Sequence, residues 1–126
     1  MTRPDFALLW DLPPDQRPFT GRDVHLWAAG LRKNPEPISS LERMLSRDEQ
    51  NRARQFKFEI DRDRFIAGRG LLRTILGSYA QADPAQLRFT YSKRGKPVLE
   101  HSSGNGHLHF NVAHSKDLVL IAVTRA

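Results

Sequence analysis

Two short stretches, Ser92-Lys93-Arg94-Gly95-Lys96-Pro97 and His109-Phe110-Asn111-Val112-Ala113-His114-Ser115, hold the residue types with which a protein can grip an anion beside a heterocycle. In the first, a Gly-Lys-Pro bend sets a cation on a turn: proline fixes the backbone beside Lys96, and glycine lets a ligand come close. In the second, Phe110-Asn111-Val112 alternates as a strand does, and Ala113, His114 and Ser115 are expected where that strand runs out, with Asn, His and Ser offering hydrogen-bond donors. The same patterns also describe a plain hairpin turn and a surface histidine, so alone they leave both readings open. A third group lies upstream. Ser46 with Glu49 three residues on forms a capping box, which predicts a helix over Arg47 to Phe56 with Glu49, Arg52 and Phe56 close together at spacings of three and four. Arg52 then projects from a fixed face, either toward a phosphate or into solvent.

The elements that must position these groups follow from periodicity. Val24-His25-Leu26-Trp27-Ala28-Ala29 alternates as a strand, with Val24, Leu26 and Ala28 on one face and His25 and Trp27 on the other. After a loop holding Pro35 and Pro37, Ile38 to Leu45 reads as a short helix. Asp61 or Asp63 is expected to open the longest helix, which runs to about Ala80 with Phe65, Leu72, Leu76 and Tyr79 as its apolar stripe and Ile75 beside it. Gly68 and Gly70 are costly inside that helix unless something packs closely against them. Arg62, Arg69 and Arg73, seven and four apart, share one side and are expected to form a solvated charged face. Asp83-Pro84 starts a brief turn. Antiparallel strands are expected at Leu87 to Ser92, His107 to Ala113 and Leu118 to Thr124, with a hairpin through Gly95 and Lys96. Helices first and strands afterwards predict an α+β domain whose helices cover one face of a small antiparallel sheet.

At 126 residues the chain is one domain by size. The net charge of +6 and isoelectric point near 10.3 point to a negatively charged partner. Most of that charge sits between Arg52 and Arg73, where Arg52, Arg54, Lys57, Arg62, Arg64, Arg69 and Arg73 face only Glu59, Asp61 and Asp63. There is no cysteine, so disulfides, thiolate metal sites and thiol catalysis are excluded, and a reducing compartment fits. No apolar run approaches a membrane span. Leu8-Leu9-Trp10 is broken at once by Asp11 and Pro13-Pro14, so it does not read as a signal peptide, and a cytoplasmic location is expected. Residues 1–22, with Pro4, Pro13, Pro14 and Pro18, read as an extended arm, and 23–126 as the folded unit.

In order and spacing, Leu45-Ser46 with Glu49, Arg52 and Phe56, then Arg64-Phe65, Arg69 and Leu71-Leu72-Arg73, then Gly95-Lys96-Pro97, then Phe110-Asn111-Val112-Ala113-His114-Ser115 resemble the N-terminal half of 4'-phosphopantetheinyl transferases of the surfactin-synthetase-activating type. The resemblance covers roughly residues 24 to 126. It implies one half of a two-subdomain fold that clamps coenzyme A and moves its phosphopantetheine arm onto a serine of an acyl or peptidyl carrier protein, releasing adenosine 3',5'-bisphosphate. By the same resemblance, Arg52 and His114 would pair with the 3'-phosphate, Tyr91, Ser92, Lys93, Arg94, Gly95 and Lys96 would line the nucleotide with Lys96 and Pro97 near adenine, and Asn111, Val112, Ala113, His114 and Ser115 would close the pocket. A guanidinium fork and an imidazolium suit a phosphomonoester, and the phosphate in turn favours the charged imidazole.

The sequence also departs from that pattern. Ala113 stands where relatives commonly carry serine, so one hydroxyl contact is lost. The acidic magnesium-binding motif Gly-x-Asp-x-Glu and the Trp-x-x-Lys-Glu stretch of the family do not occur in the chain. Asp48-Glu49 and Asp61-x-Asp63 sit at predicted helix starts, where carboxylates cap backbone donors rather than bind metal. No catalytic or metal-ligating residue is therefore assigned, magnesium is expected only in a complete enzyme, and a homodimer or a missing C-terminal half is the expected partner. The competing expectation is a module for RNA or single-stranded DNA, with Phe89 and Tyr91 alternating beside Lys93, Arg94 and Lys96; it ranks second because Phe110 lacks an evident aromatic partner. An inert piece that docks a carrier protein is the third.

Overall fold

The 22-residue helix α3, Glu59–Ala80, is the spine of the molecule. Ile66, Ala67, Leu71, Leu72, Ile75, Leu76 and Tyr79 are all buried along it, a wider apolar stripe than the one read from spacing. The structure, a computed structural model, describes residues 24–31, 37–100 and 108–125; the expected arm at 1–22 and the predicted strand start at His107 lie outside the described residues. Helix α3 begins earlier than expected. Phe58, not Asp61 or Asp63, is its N-cap and offers no side-chain bond; Glu59 and Asp61 fall in the first turn, where negative charge complements the helix dipole, and Asp63 lies deeper. Its C-terminus is closed by Gln81 in the left-handed region, whose amide donates to the Gly77 carbonyl.

Before the spine come strand β1 (Val24–Gly30) and helices α1 (Ile38–Met44) and α2 (Arg47–Arg54). Helix α2 starts where the capping box predicts: Glu49 N donates to Ser46 Oγ, and Ser46 N donates to Glu49 Oε1. It ends two residues sooner than expected, with Phe56 just past it. Gly70 is where α1 meets α3, because a Cβ there would lie 2.8 Å from Leu41 Cδ2. Gly68 has no such neighbour, and a Cβ there would meet only Leu41's counterpart on the strand side, Leu31 Cδ2, at 4.0 Å.

After α3 a 3-10 turn, Pro84–Gln86, leads to β2 (Phe89–Tyr91), β3 (Pro97–Leu99), β4 (Leu108–Ser115) and β5 (Leu118–Arg125). The strands form two sheets rather than the single one expected: β2 pairs with β3 by themselves, and β1, β5 and β4 form an antiparallel sheet with β5 in the middle. The register aligns Trp27, Ile121 and Val112 across that sheet, as it does Ala29, Val119 and His114. Since side chains alternate with period two, His25, Trp27, Ala29, Phe110, Val112 and His114 share the face carrying the buried Val119, Ile121 and Val123. That face packs on α3, where Tyr79 Oη takes a hydrogen bond of 2.8 Å from Trp27 Nε1 and lies 2.6 Å from His25 Nδ1. Fully burying each large aliphatic side chain there contributes about 1.5–3 kcal/mol. On the opposite face Val24, Leu26, Leu118 and Leu120 are exposed. The architecture is α+β, as the element order predicts, and no helix among the described residues is long and apolar enough to cross a membrane.

Candidate functional site

Two of the arginines expected on a solvated face of α3 are instead drawn inward by Glu49. Arg73 is buried at 1%, as is Glu49; its Nε lies 2.8 Å and its Nη2 2.7 Å from Glu49 Oε1, while Nη1 donates to the carbonyls of Pro84 and Leu87. Arg69 Nη1 donates to Glu49 Oε2 at 3.2 Å and to Tyr91 Oη at 2.9 Å, tying α2, α3 and β2 together. Only Arg62 stays largely in solvent, within 4.0 Å of Glu59. A buried charge this deep is tolerated because its hydrogen-bonding capacity is met, and among the described residues no buried side-chain nitrogen or oxygen lacks a partner. Glu49 thus caps α2 and neutralises Arg73 with one carboxylate.

Beside this cluster lies an open cleft of about 450 Å³. Its floor is a helical stripe of α3, namely Asp61, Arg64, Phe65, Gly68, Arg69 and Leu72, at spacings of three and four. Arg52 and Phe56 come from α2 and its end, Pro97 from β3, Val112 and His114 from β4. Arg52 and His114, two residues that are 62 positions apart in the chain, therefore border one cleft. Neither makes a hydrogen bond or ion pair among the described residues, and the Arg52 guanidinium lies 5.8 Å from the centre of the Phe65 ring. That ring is flanked by the Arg69 guanidinium at 5.2 Å and by Phe56 at 5.5 Å, so Arg52 is aimed by stacking rather than by a carboxylate.

The β4–β5 turn overhangs the cleft through Lys116, a residue the sequence reading missed. Arg64 Nε donates to the Asp117 carboxylate at 2.9 Å and lies with Nη1 3.7 Å from Asp61, while the Leu31 amide donates to the Asp117 carbonyl at 2.6 Å. Helix α3 and the end of β1 thereby fix the turn. The stripe on α3 could have been found from its period; Asp117 and Lys116 are adjacent to His114 but carry no local pattern that marks them.

The other expected site residues are placed less uniformly. Ala113, His114 and Ser115 are not released beyond a strand end, because β4 continues to Ser115 and pairs these three with Leu120, Val119 and Leu118. The alternation that sends His114 into the cleft sends the side chains of Asn111, Ala113 and Ser115 to the opposite face. Ser92 Oγ accepts from the Lys96 amide and closes the turn with Gly95 at φ 80°, a left-handed position suited to glycine. Lys96 Nζ donates to Asn111 Oδ1, which joins the hairpin to β4. Lys93 and Arg94 are exposed, and Tyr91 touches the site through Arg69. Phe110 does have an aromatic partner: Phe89 meets it edge-on at 5.8 Å, and the Arg73 guanidinium covers Phe89 at 4.9 Å.

Among the described residues, the carboxylates at and beside the cleft do not fit a divalent metal. Glu49 is bound by two arginines and a backbone amide, Asp61 and Asp117 by Arg64, and among the described residues no three His, Asp or Glu side chains converge to hold an ion.

Residues 32–126 match the protein family described as 4'-phosphopantetheinyl transferase, N-terminal. A 4'-phosphopantetheinyl transferase HetI from Nostoc sp. is 41% identical over 114 residues, 90% of this chain and 48% of that protein. A phosphopantetheinyl transferase from Thraustochytrium sp. is 36% identical over 78% of this chain and 35% of its own length. This chain thus spans about half or less of the length of these relatives. In fold it is similar to a holo-(acyl-carrier-protein) synthase from Bacillus anthracis solved in complex with CoA (3',5'-ADP), with a TM-score of 0.54 at 19% identity over 82% of this chain and 96% of that one. With the family match extending over residues 32–126, which hold the cleft from Arg52 to Lys116, the chain belongs to the 4'-phosphopantetheinyl transferase family.

Proposed function

We propose that this chain is the N-terminal, coenzyme A-binding half of a 4'-phosphopantetheinyl transferase, and that its cleft takes the nucleotide end of coenzyme A. The observation that carries the reading is the convergence of Arg52 and His114, both without a hydrogen-bond or ion-pair partner among the described residues, on one cleft. A phosphomonoester carries up to two negative charges and several acceptor oxygens, and a guanidinium with an imidazole supplies directed donors to match. Pro97 and Val112 give the same cleft an apolar wall for a base. Arg69 and Phe65 position Arg52 rather than add a free charge.

In the transfer, a carrier-protein serine oxygen forms a bond to the phosphorus of the pantetheine arm as the pyrophosphate bond breaks, adenosine 3',5'-bisphosphate leaves, and the hydroxyl proton passes to a base or water outside this chain. The residues of this chain would hold that leaving nucleotide. No residue here is assigned as acid, base or metal ligand, and magnesium belongs to the reading only through a complete enzyme. The partners we infer are a carrier protein and either a C-terminal half or a second copy, the latter supported by the exposed Val24, Leu26, Leu118 and Leu120 on one sheet face. The inferred location is the cytoplasm, supported by a chain without cysteine. The nucleic-acid reading ranks lower because Phe89, its proposed stacking ring, is held between Phe110 and Arg73. Calorimetric titration with coenzyme A and 3'-dephospho-coenzyme A tests the proposal: a preference for coenzyme A is expected, and equal or absent binding of the two refutes it.

A further inference from the structure

We propose that Lys116 is a third basic side chain of the phosphate subsite, beside Arg52 and His114, presented by a turn that holds its backbone in an unfavourable conformation. The inference rests on reading the cleft as a coenzyme A site. Ser115 and Leu118 are paired, so Lys116 and Asp117 form a two-residue hairpin turn. At its first central position Lys116 has a φ of 51°, a left-handed value that a glycine adopts without cost and a lysine does not.

Strain of this kind persists only where the surroundings over-determine it. Here they do: Arg64 holds the Asp117 carboxylate and the Leu31 amide holds the Asp117 carbonyl, one from α3 and one from the end of β1. The turn is thus anchored through Asp117, and the side chain of Lys116 is left exposed at the border of the cleft with no hydrogen bond or ion pair among the described residues. The nearby carboxylates of Asp61 and Asp117 are both paired with Arg64, and Lys116 makes no ion pair with either. Of the basic side chains lining the cleft, Arg64 and Arg69 are paired, whereas Arg52, His114 and Lys116 have no carboxylate partner. His114 and Lys116 lie two residues apart at the end of β4 and the turn after it, and Arg52 comes to the same cleft from α2. A doubly charged phosphomonoester held in the cleft would complete the coordination of all three.

The test is calorimetric titration of the chain with coenzyme A and with 3'-dephospho-coenzyme A, for the wild type and for Lys116→Met, Lys116→Arg and Lys116→Gly, with a thermal melt of each. Lys116→Met is expected to weaken coenzyme A binding about tenfold and to leave the dephospho form unchanged. Lys116→Arg, which keeps the charge, is expected to stay within about threefold of the wild type. Lys116→Gly is expected to lose affinity as Met does while melting at a higher temperature, since it removes the strained residue as well as the charge. Met binding both ligands as the wild type does, or losing both equally, overturns the assignment, as does a lower melting temperature for Lys116→Gly. A wild-type chain that does not distinguish the two ligands refutes the coenzyme A reading itself, and a preference for coenzyme A that is the same in Lys116→Met as in the wild type refutes only the role of Lys116.

Discussion

The two charge clusters that border α3 use the same residue types in opposite ways. Around Glu49, Arg69 and Arg73 are matched by a carboxylate, by carbonyls and by a tyrosine hydroxyl. In the cleft, Arg52 and His114 make no ion pair, and Asp61, the carboxylate that lines it, lies beside Arg64. Glu49 and Arg52 are one helical turn apart on the same side of α2, with Glu49 buried and Arg52 exposed, so the two clusters adjoin along one helix. The contrast teaches that a cation's role is set by whether its partner is built into the fold. A buried cation must bring its counterion with it, whereas one at an open site can leave the position to a ligand.

Removing the built-in partner should give the largest effect. Glu49→Ala takes the cap from α2 and leaves Arg73 buried without its counterion, so a loss of about 3–5 kcal/mol is expected in urea unfolding. A loss below about 1 kcal/mol would mean that water or the Pro84 and Leu87 carbonyls suffice, and the division into two kinds of cluster would fail. Arg52→Ala should do the reverse. Coenzyme A binding is expected to fall by roughly tenfold to a hundredfold in calorimetry, with stability changed by no more than about 0.5 kcal/mol.

Arg69 belongs to both clusters and sharpens the comparison. Arg69→Met should cost about 1–2 kcal/mol of stability through Glu49 and Tyr91, and weaken coenzyme A several-fold by loosening the Phe65 ring on which Arg52 stacks. If only one of the two measurements moves, Arg69 belongs wholly to the cluster that measurement reports. The smallest effect is expected at Gly68, where the space above the helix is open and an alanine fits: Gly68→Ala should stabilise the chain by about 0.5–1 kcal/mol in thermal unfolding, because it lowers the entropy lost on helix formation. The same change at Gly70 has no such room against Leu41, and a loss there would mark which of the two glycines serves packing.

Local signals in the chain proved legible. The capping box at Ser46 and Glu49 starts α2 where it predicts, the alternation of β1 and β5 is realised, and the Gly95 turn forms a hairpin. The start of α3 was misjudged because Asp61 and Asp63 resemble caps, whereas the helix reaches back to Phe58 without one. The division into two sheets was also unreadable, since β3 is only Pro97–Leu99 and leaves no alternating run of useful length. At the site, His114 was found by its neighbours, yet the period of β4 turns Ala113 and Ser115 away from the cleft it borders. Arg73 was misread for a deeper reason: helical spacing puts it on one side with Arg62 and Arg69 but says nothing about what stands opposite.

The sequence by itself determined the elements, because caps, turn residues and hydrophobic periods act over a few residues and do not depend on the rest of the molecule. Only the tertiary structure decided which charges would be neutralised and which left open. Glu49 and Arg73 are 24 residues apart, and Arg64 and Asp117 are 53. Coulomb attraction and desolvation act through space, so their outcome depends on which helix lies against which strand.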